Sequence, residues 1–203
     1  MKKIISILVL LCTALLTVHA ERVIVGAEQT KQYLPLLKNK RVALLSNHTG
    51  IIIQTKSERR EAKNDTIHTL DWLLQHGVEV TAIFSPEHGF RGTAREGELV
   101  ASSVDEKTGI PILSLYDGKS KRPSKEAMQT FDVLITDIQD VGLRFYTYYV
   151  TMYRLMDVCA QEGKQFMVFD RPNPNGYYVD GPILDMKHKS GVGALPIPVV
   201  HGM

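Results

Sequence analysis

The sequence has little cysteine, and that shortage limits the chemistry open to it. Its 203 residues include two cysteines, Cys12 in the apolar N-terminal segment and Cys159 in the remainder of the chain. A single thiol in the folded part makes neither an internal disulfide nor a cysteine zinc site. Because Cys159 falls in an apolar helical stretch, we expect a packed core thiol and not a nucleophile.

The first twenty residues have the pattern of a secretory signal peptide. Lys2 and Lys3 precede an apolar stretch, 4–17, which is too short for a comfortable membrane span, and Ala20 offers a small residue for cleavage. We therefore expect an exported protein, periplasmic or extracellular, whose mature chain 21–203 has no stable membrane span. An uncleaved N-terminal anchor is the alternative.

The mature chain also has no excess charge of either sign. Removing residues 1–20 takes away two lysines and no acidic residue, so the net charge falls from +2 to zero (2 − 2 = 0). A neutral chain gives no electrostatic reason to bind nucleic acid or an anionic membrane surface. We expect neither as a partner.

Phosphate-binding loops are missing as well. A dinucleotide-binding fold carries G-x-G-x-x-G between its first strand and first helix, whereas this chain has SNHTGI (46–51) there. No Walker lysine motif occurs, and the GVG at 191–193 follows no strand in the right register. We expect no nucleotide and no other cofactor.

What the chain does have is an alternation of short apolar runs and helical patterns. The pattern predicts strands at 41–47, 78–85, 109–116, 132–140, 165–172 and 195–202, and helices at 66–77, 124–131 and 149–164. Continuous apolar strands separated by helices predict an α/β fold whose mostly parallel sheet is covered on both faces. Ligands bind at the carboxyl ends of the strands in such folds, and the polar clusters of this sequence fall there.

Glu87 is the first of these polar residues that suits chemistry. It follows the second predicted strand in FSPEHGFRG (84–92), between Phe84 and Phe90. Apolar neighbours would raise the pKa of a carboxyl group, and a raised pKa suits a general acid. The alternative is a purely structural role, in which Glu87 caps the next helix or pairs with Arg91 or Arg95.

Two aspartates and an arginine with aromatic neighbours follow the fourth predicted strand. Asp137 and Asp140 are three apart, so one of them is expected to face the cleft. Arg144 and Tyr146 suit a carboxylated or sugar ligand, the guanidinium for the carboxylate and the ring for the sugar face. Loop-stabilising aspartates and an aromatic helix start packed on the sheet are the alternatives.

The loop DRPNPNG (170–176) after the fifth strand contains Asp170, Arg171 and Asn173. Its two prolines fix φ, which predicts a rigid loop whose polar side chains can hold hydroxyl or amide groups. A series of turns that merely closes the strand is the alternative.

Three histidines lie at predicted strand ends, together with Asn47. His48 and Asn47 follow the first strand, His88 the second and His201 the last. Three histidines can bind a metal, but these come from separate loops without an H-x-H or H-x-x-x-H pair. We expect hydrogen-bonding contacts to a substrate and no metal. Serine hydrolysis is also disfavoured, since no G-x-S-x-G occurs.

Several strings together resemble one family, the exo-acting peptidoglycan β-N-acetylmuramidases of the NamZ type, long catalogued as a domain of unknown function. They occur in the family's order and span nearly the whole mature chain: LLSNHTG, FSPEHGFRG, TDIQDVGLRFYTY, DRPNPNG followed by VDGPIL, and PIPVVHGM. The resemblance implies a Rossmann-like, three-layer N-terminal domain without a nucleotide. It also implies a smaller C-terminal domain across a substrate cleft.

The implied activity is release of terminal N-acetylmuramic acid from the non-reducing end of peptidoglycan fragments, in cell-wall turnover or recycling. The glutamate of the family's S-P-E-H-G motif corresponds to Glu87, which becomes the expected general acid. Asp137, Asp140 or Asp170 would be the second catalytic group, unless the acetamido carbonyl of the sugar serves instead. The lactyl carboxylate of muramic acid would need a cation, Arg144 first, with Arg91 or Arg171 as alternatives.

The resemblance also raises a question of length. Members of the family are roughly twice as long, so we expect residues 21–203 to be the N-terminal catalytic domain and the C-terminal domain to be absent from this chain. A sugar-binding remnant without catalysis, a truncated fragment and a metal-dependent hydrolase are the alternative functions.

Overall fold

The computed structural model describes residues 23–54, 65–90, 101–115 and 121–202. Its strands are β1 (Arg41–Ser46), β2 (Ile51–Gln54), β3 (Asp65–His68), β4 (Glu79–Ser85), β5 (Ser103–Val104), β6 (Pro111–Ser114), β7 (Val133–Asp137) and β8 (Gln165–Val168). Its α-helices are α1 (Thr30–Leu37), α2 (Thr69–Gln75), α3 (Lys125–Gln129) and α4 (Tyr148–Gln161), and two short 3₁₀ turns occupy Gly26–Glu28 and Met186–His188.

Six strands form one sheet in the order β5-β6-β4-β1-β7-β8. All neighbours pair in parallel except β5, which is antiparallel to β6 at one edge. β2 and β3 form a separate antiparallel pair, which the sequence pattern did not predict. The sheet is mostly parallel, as predicted. Parallel neighbours require crossover connections, and the helices supply them.

Two hydrophobic clusters cover the two faces of the sheet. Val42 and Leu44 of β1 belong to the cluster beneath α1 and α2, whereas Ala43 and Leu45 belong to the cluster beneath α3 and α4. This alternation follows from the two-residue period of a strand. Each fully buried leucine contributes about 1.5–3 kcal/mol, so both faces are firmly packed. The predicted three-layer α/β fold is confirmed.

Local signals set the helix ends. Ser124 accepts a hydrogen bond from the Ala127 N–H at 3.2 Å and caps α3, as the sequence predicted. The helix predicted at 66–77 begins at Thr69, because residues 65–68 pair with β2. His68 caps it by accepting from the Leu70 N–H at 3.1 Å, and Gly77 follows its end with a φ of 72°.

The strand predicted at 195–202 was wrong. Val200 forms only isolated bridges, one to Leu143 and one to Asp180, and it does not join the sheet. The Arg144 N–H donates to Val199 and the His201 N–H to Gly142, so this segment crosses the loop after β7. The two prolines of LPIPVV remove backbone donors that a strand within the sheet would need.

Cys159 is confirmed as a packed core thiol. It is 1% exposed in α4, and burial raises the pKa of its thiol to about 11. Within the described ranges, no helix is long and apolar enough to cross a membrane. The segment predicted to be a signal peptide lies outside the described residues.

Candidate active site at the carboxyl edge of the sheet

The five parallel strands end at one edge of the sheet, and the predicted site loops begin there. Ser46 of β1 pairs with Asp137 of β7, and Leu45 pairs with Phe84 of β4, so these strand ends are level. Neighbouring strands are roughly 4.8 Å apart. The loops after β1, β4, β7 and β8 therefore meet above this edge.

Glu87 stands at the tip of a tight turn directly after β4. The Gly89 N–H donates to the Pro86 carbonyl at 3.1 Å, which closes a four-residue turn with Glu87 and His88 at its centre. His88 has a φ of 70°, the left-handed conformation that the third position of a type II turn requires and that glycine usually supplies. Backbone strain of this kind concentrates at functional sites.

The two phenylalanines that flank the turn are anchors in the core. Phe84 is fully buried in the cluster beneath α3 and α4, and Phe90 is 3% exposed in the opposite cluster. The Phe90 ring meets His68 edge-on, with centroids 4.8 Å apart. Glu87 is half-buried between these anchors. Within the described ranges, its carboxylate makes no hydrogen bond or ion pair.

Asp137 is buried and paired, which disfavours the prediction that it serves as a catalytic carboxylate. It is fully buried, and Arg171 donates to both its oxygens, from Nε to Oδ1 at 2.5 Å and from Nη2 to Oδ2 at 3.0 Å. The Thr69 hydroxyl donates to Oδ2 as well. Three donors bind the two oxygens of this carboxylate, so Asp137 links the end of β7 to Thr69 and Arg171.

Arg171 is consequently bound to Asp137 beneath the carboxyl edge of the sheet. Its side chain is 7% exposed, and Nη2 also donates to the Ile51 carbonyl at 3.0 Å. This arrangement ties β7, β8 and the β2–β3 pair into one unit. The prediction of Arg171 as a partner for a substrate carboxylate is therefore disfavoured, because Asp137 already neutralises its charge.

Asp140 is the aspartate that faces the cleft. Oδ1 accepts from the Gly142 N–H at 2.7 Å and lies 3.6 Å from His201 Nε2, whereas Oδ2 is buried and has no hydrogen-bond partner among the described residues. Burial raises the pKa of Asp140, and the Gly142 N–H and the His201 imidazole offset part of that rise. A half-satisfied carboxyl group can take up a further donor or hold a proton.

The loop after β8 is hydrogen-bonded to the loop after β7, and its predicted rigidity stays a prediction. Gln139 Nε2 donates to the Pro172 carbonyl at 2.8 Å, and Asn175 Nδ2 donates to the Val141 carbonyl at 2.8 Å. The Asn173 Oδ1 accepts from the Asn175 N–H, and its amide covers Gly142.

Asp170, at the start of the same loop, is exposed. Its carboxylate accepts from the Arg171 N–H at 3.0 Å, and its carbonyl accepts from the Gly26 N–H.

The loop after β1 uses Asn47 as an internal brace. Its Oδ1 accepts from Thr49, from N–H at 2.9 Å and from the hydroxyl at 2.6 Å, and its Nδ2 is buried without a hydrogen-bond partner among the described residues. The Thr49 hydroxyl accepts in turn from the Gln139 N–H at 3.0 Å. His48 is exposed beside it.

Arg144 binds the segment that contains Pro182 and Ile197, and Tyr146 packs against Tyr148. Arg144 Nη1 donates to the carbonyls of Pro182 and Ile197, both at 2.8 Å. This engagement uses Nη1 alone, so the contact of Arg144 with a substrate carboxylate stays a prediction. Tyr146 is half-buried with its ring edge-on to Tyr148 at 5.0 Å, and burial together with the Asp140 charge raises the pKa of its hydroxyl.

A cavity of about 180 Å³ gathers five of the predicted residues, namely Asp140, Asp170, Arg171, Asn173 and His201. Glu87, Asn47, His48, His88 and Tyr146 do not line it. In the part of the chain that the structure describes, no three histidine, cysteine or acidic side chains are grouped to hold a metal ion. Arg91 lies outside the described residues.

Sequence reasoning missed two threonines at this edge. Thr69 binds Asp137 from the start of α2, and Thr136 lines the cavity at the end of β7. Thr136 lies directly before Asp137, so the alternation of a strand places its side chain on the opposite face. That alternation was the available signal, but a threonine in an apolar strand is also an ordinary core residue.

This geometry defines a three-layer α/β protein of the Rossmann-like kind, with a carboxylate-bearing site at the carboxyl edge of its sheet. Residues 42–203 match the family described as "Exo-beta-N-acetylmuramidase NamZ, N-terminal". The chain belongs to this family, and the resemblance of its motifs is confirmed.

Individual relatives agree with this assignment. The chain is 45% identical over 173 residues to the peptidoglycan beta-N-acetylmuramidase NamZ of Bacillus subtilis (strain 168), covering 84% of this chain and 39% of that protein.

Two crystal structures of DUF1343 family proteins from Bacteroides fragilis both superpose with a TM-score of 0.74. They are 57% and 35% identical and cover 90% and 88% of this chain, but 44% and 42% of theirs. The chain thus spans about two fifths of the length of these relatives.

Proposed function

We propose that this chain carries the general acid of an exo-β-N-acetylmuramidase and that Glu87 is that acid. The observation that supports it is the half-buried Glu87 carboxyl, which has no hydrogen bond or ion pair among the described residues, on a strained turn at the carboxyl end of β4. A general acid has to reach the leaving oxygen and give up its proton, which an internal ion pair would hinder. The name of the Bacillus subtilis relative supplies the reaction, hydrolysis of a β-N-acetylmuramyl bond in peptidoglycan.

The second catalytic group is Asp140 or the substrate itself. Asp137 is saturated by Arg171 and Thr69, and Asp170 is exposed and turned to its own backbone. Asp140 retains an oxygen without a partner among the described residues. In a retaining or inverting glycosidase a second carboxylate acts as nucleophile or base, and a 2-acetamido sugar can supply its own carbonyl oxygen instead.

The partner of the lactyl carboxylate is a separate question. Arg171 binds Asp137 through Nε and Nη2, whereas Arg144 uses Nη1 alone for two backbone carbonyls and keeps Nε and Nη2 for a further acceptor. Arg144 therefore stays the first predicted partner, and Arg91, the alternative, lies outside the described residues. We further propose that the protein is exported and meets peptidoglycan fragments in the periplasm or outside the cell.

Incubation with the disaccharide N-acetylmuramyl-β-1,4-N-acetylglucosamine tests the reaction. We expect free N-acetylmuramic acid to be released, detected by mass spectrometry, and longer glycans to shorten only from the non-reducing end. Binding of the disaccharide without release would favour the sugar-binding alternative. Loss of release on chelation, restored by added metal, would favour the metal-dependent hydrolase.

A further inference from the structure

His68, at the end of β3, contacts three separate elements at the carboxyl edge of the sheet. Its Nε2 lies 2.9 Å from the Asn47 carbonyl in the loop after β1, and its Nδ1 accepts from the Leu70 N–H at 3.1 Å at the start of α2. Its ring meets Phe90 edge-on, with an angle of 76° between the ring planes. Phe90 ends the turn that contains Glu87, so one imidazole joins a helix start and two site loops.

The two hydrogen bonds of His68 define the state and the orientation of its ring. An amide N–H only donates, so Nδ1 is the acceptor, and a carbonyl only accepts, so Nε2 carries the proton. The loop after β1 also fits closely around the ring. A Cβ on Gly50 would lie 3.3 Å from Nε2 and would collide with the Ser46 hydroxyl. The imidazole is therefore held at both nitrogens and has little room to turn.

The Phe90 contact links this fixed ring to the position of Glu87. Phe84, before the turn, belongs to β4, where strand pairing fixes its backbone. Phe90, after the turn, belongs to no strand, so its position depends on the packing of its ring, and the His68 ring is part of that packing. Phe90 directly follows Gly89, whose N–H closes the turn. A shift of Phe90 would therefore displace Glu87, and displacement of a catalytic group by about 1 Å can cost about 10²-fold in rate.

We propose that His68 is a positioning residue for the turn that presents Glu87. The imidazole, fixed by its two hydrogen bonds, holds the Phe90 ring and thereby the Gly89 end of the turn. Its effect on catalysis rests on the proposed function of Glu87, whereas its effect on the geometry of the turn does not. The alternative is that His68 serves only as the N-cap of α2.

Two substitutions separate the ring of His68 from its capping role. His68→Asn keeps an acceptor for the Leu70 N–H but removes the ring, whereas His68→Phe keeps an aromatic edge toward Phe90 and removes both hydrogen bonds. Hydrogen exchange of the Gly89 amide, followed by NMR, reports the turn directly. We expect this exchange to be about tenfold faster in His68→Asn and within about threefold of the parent in His68→Phe.

The kinetics of N-acetylmuramic acid release provide the second readout. In His68→Asn, kcat should fall about tenfold or more while KM stays within about twofold, and the loss in His68→Phe should be smaller. His76→Asn, at the exposed residue that follows α2, is the matched control and should change neither kcat nor Gly89 exchange. The double variant His68→Asn/Phe90→Leu should lose no more than the worse single variant, because His68 acts through Phe90.

Gly89 exchange in His68→Asn equal to that of the parent, or a larger effect in His68→Phe than in His68→Asn, would overturn the proposal and leave His68 as a cap alone. Faster Gly89 exchange in His68→Asn, with no sugar released by the parent, would sink the muramidase proposal alone. Unchanged exchange beside normal release would sink this one alone. If His68→Asn does not fold, Phe90→Leu decides the matter, because its Gly89 exchange should also be about tenfold faster and an unchanged rate would overturn the proposal.

Discussion

Arg171 donates two hydrogen bonds to the buried carboxylate of Asp137, from Nε to Oδ1 at 2.5 Å and from Nη2 to Oδ2 at 3.0 Å. Both side chains are almost inaccessible, at 7% and 0% exposure. The pair joins the ends of β7 and β8 directly beneath the candidate site. The positions of the site loops therefore depend on an ion pair whose two side chains are buried.

Removal of the arginine should strongly destabilise the fold. Arg171→Leu leaves the Asp137 charge buried and uncompensated, which costs about 3–5 kcal/mol. Urea unfolding measures the change. Arg122→Leu is the control, because its pair with Asp157 is about half exposed and is worth about 0–1 kcal/mol. A loss at Arg171 no larger than the loss at Arg122 would contradict the structural role given to the pair.

A second prediction concerns the contact that holds the loops after β7 and β8 together. Gly142 has a φ of 73°, and a Cβ there would lie 2.5 Å from the Asn173 amide. Gly142→Ala therefore meets both backbone strain and a clash, whereas Gly163→Ala, with a φ of 63° and open space, meets the strain alone. We expect about 1 kcal/mol at Gly163 and clearly more at Gly142.

The double variant Gly142→Ala/Asn173→Ala separates the two causes. It should show a favourable coupling energy in a double-mutant cycle, because truncation of Asn173 removes the clash. Additive losses would mean that the close approach is not the cause.

The strained turn at His88 makes a third prediction. At a φ of 70° glycine is favoured over alanine by about 1 kcal/mol, so His88→Gly should be more stable than His88→Ala. His76, exposed and with a φ of −94°, is the control, where glycine should bring no gain over alanine. Thermal unfolding of the four variants provides the comparison. The same order at both positions would argue against left-handed geometry beside Glu87.

The pH dependence of stability should differ in sign between two aspartates. Burial raises the folded-state pKa of Asp140, so the folded protein holds this proton more tightly and loses stability as pH rises through that pKa. The stability of Asp140→Asn relative to the parent should therefore increase as pH rises from 3 to 7. His201, 3.6 Å away, limits the gain where it is protonated.

Asp132 provides the opposite case. Hydrogen bonds from Arg41 lower its pKa to about 2, so its contribution is present above the unfolded pKa and is lost as pH falls toward 2. Asp132→Asn should lose stability relative to the parent as pH rises over the same range. Parallel trends for the two variants, followed by urea midpoints, would refute the assigned pKa directions.

Much of the fold follows from pattern alone. The apolar runs at 41–47, 78–85 and 132–140 became β1, β4 and β7, since a strand buried on both faces has to be apolar throughout. The sequence pattern did not predict the β2–β3 pair, because Ile67 continues the helical spacing of Leu70, Leu73 and Leu74. Tertiary pairing with Ile52 overrides that local signal.

The site was harder to predict than the fold. Carboxylates at strand ends were visible in the sequence, but their partners were not. Asp137 is matched by Arg171, 34 residues further along, and by Thr69, 68 residues before it. Only the strand order brings these side chains together, and the sequence does not reveal it. Position alone therefore could not separate the structural Asp137 from the cleft-facing Asp140.

The rate of N-acetylmuramic acid release by Glu87→Gln tests the role of Glu87 as general acid most directly. Glutamine keeps the shape of the side chain but has no acidic proton to transfer, so we expect kcat to fall by about 10²–10⁴-fold with substrate binding retained. Asp170→Asn, at an exposed carboxylate in a neighbouring loop, should change kcat by less than about tenfold, because Asp170 is not the proposed second catalytic group. Full activity of Glu87→Gln would contradict the assignment of Glu87 as the general acid.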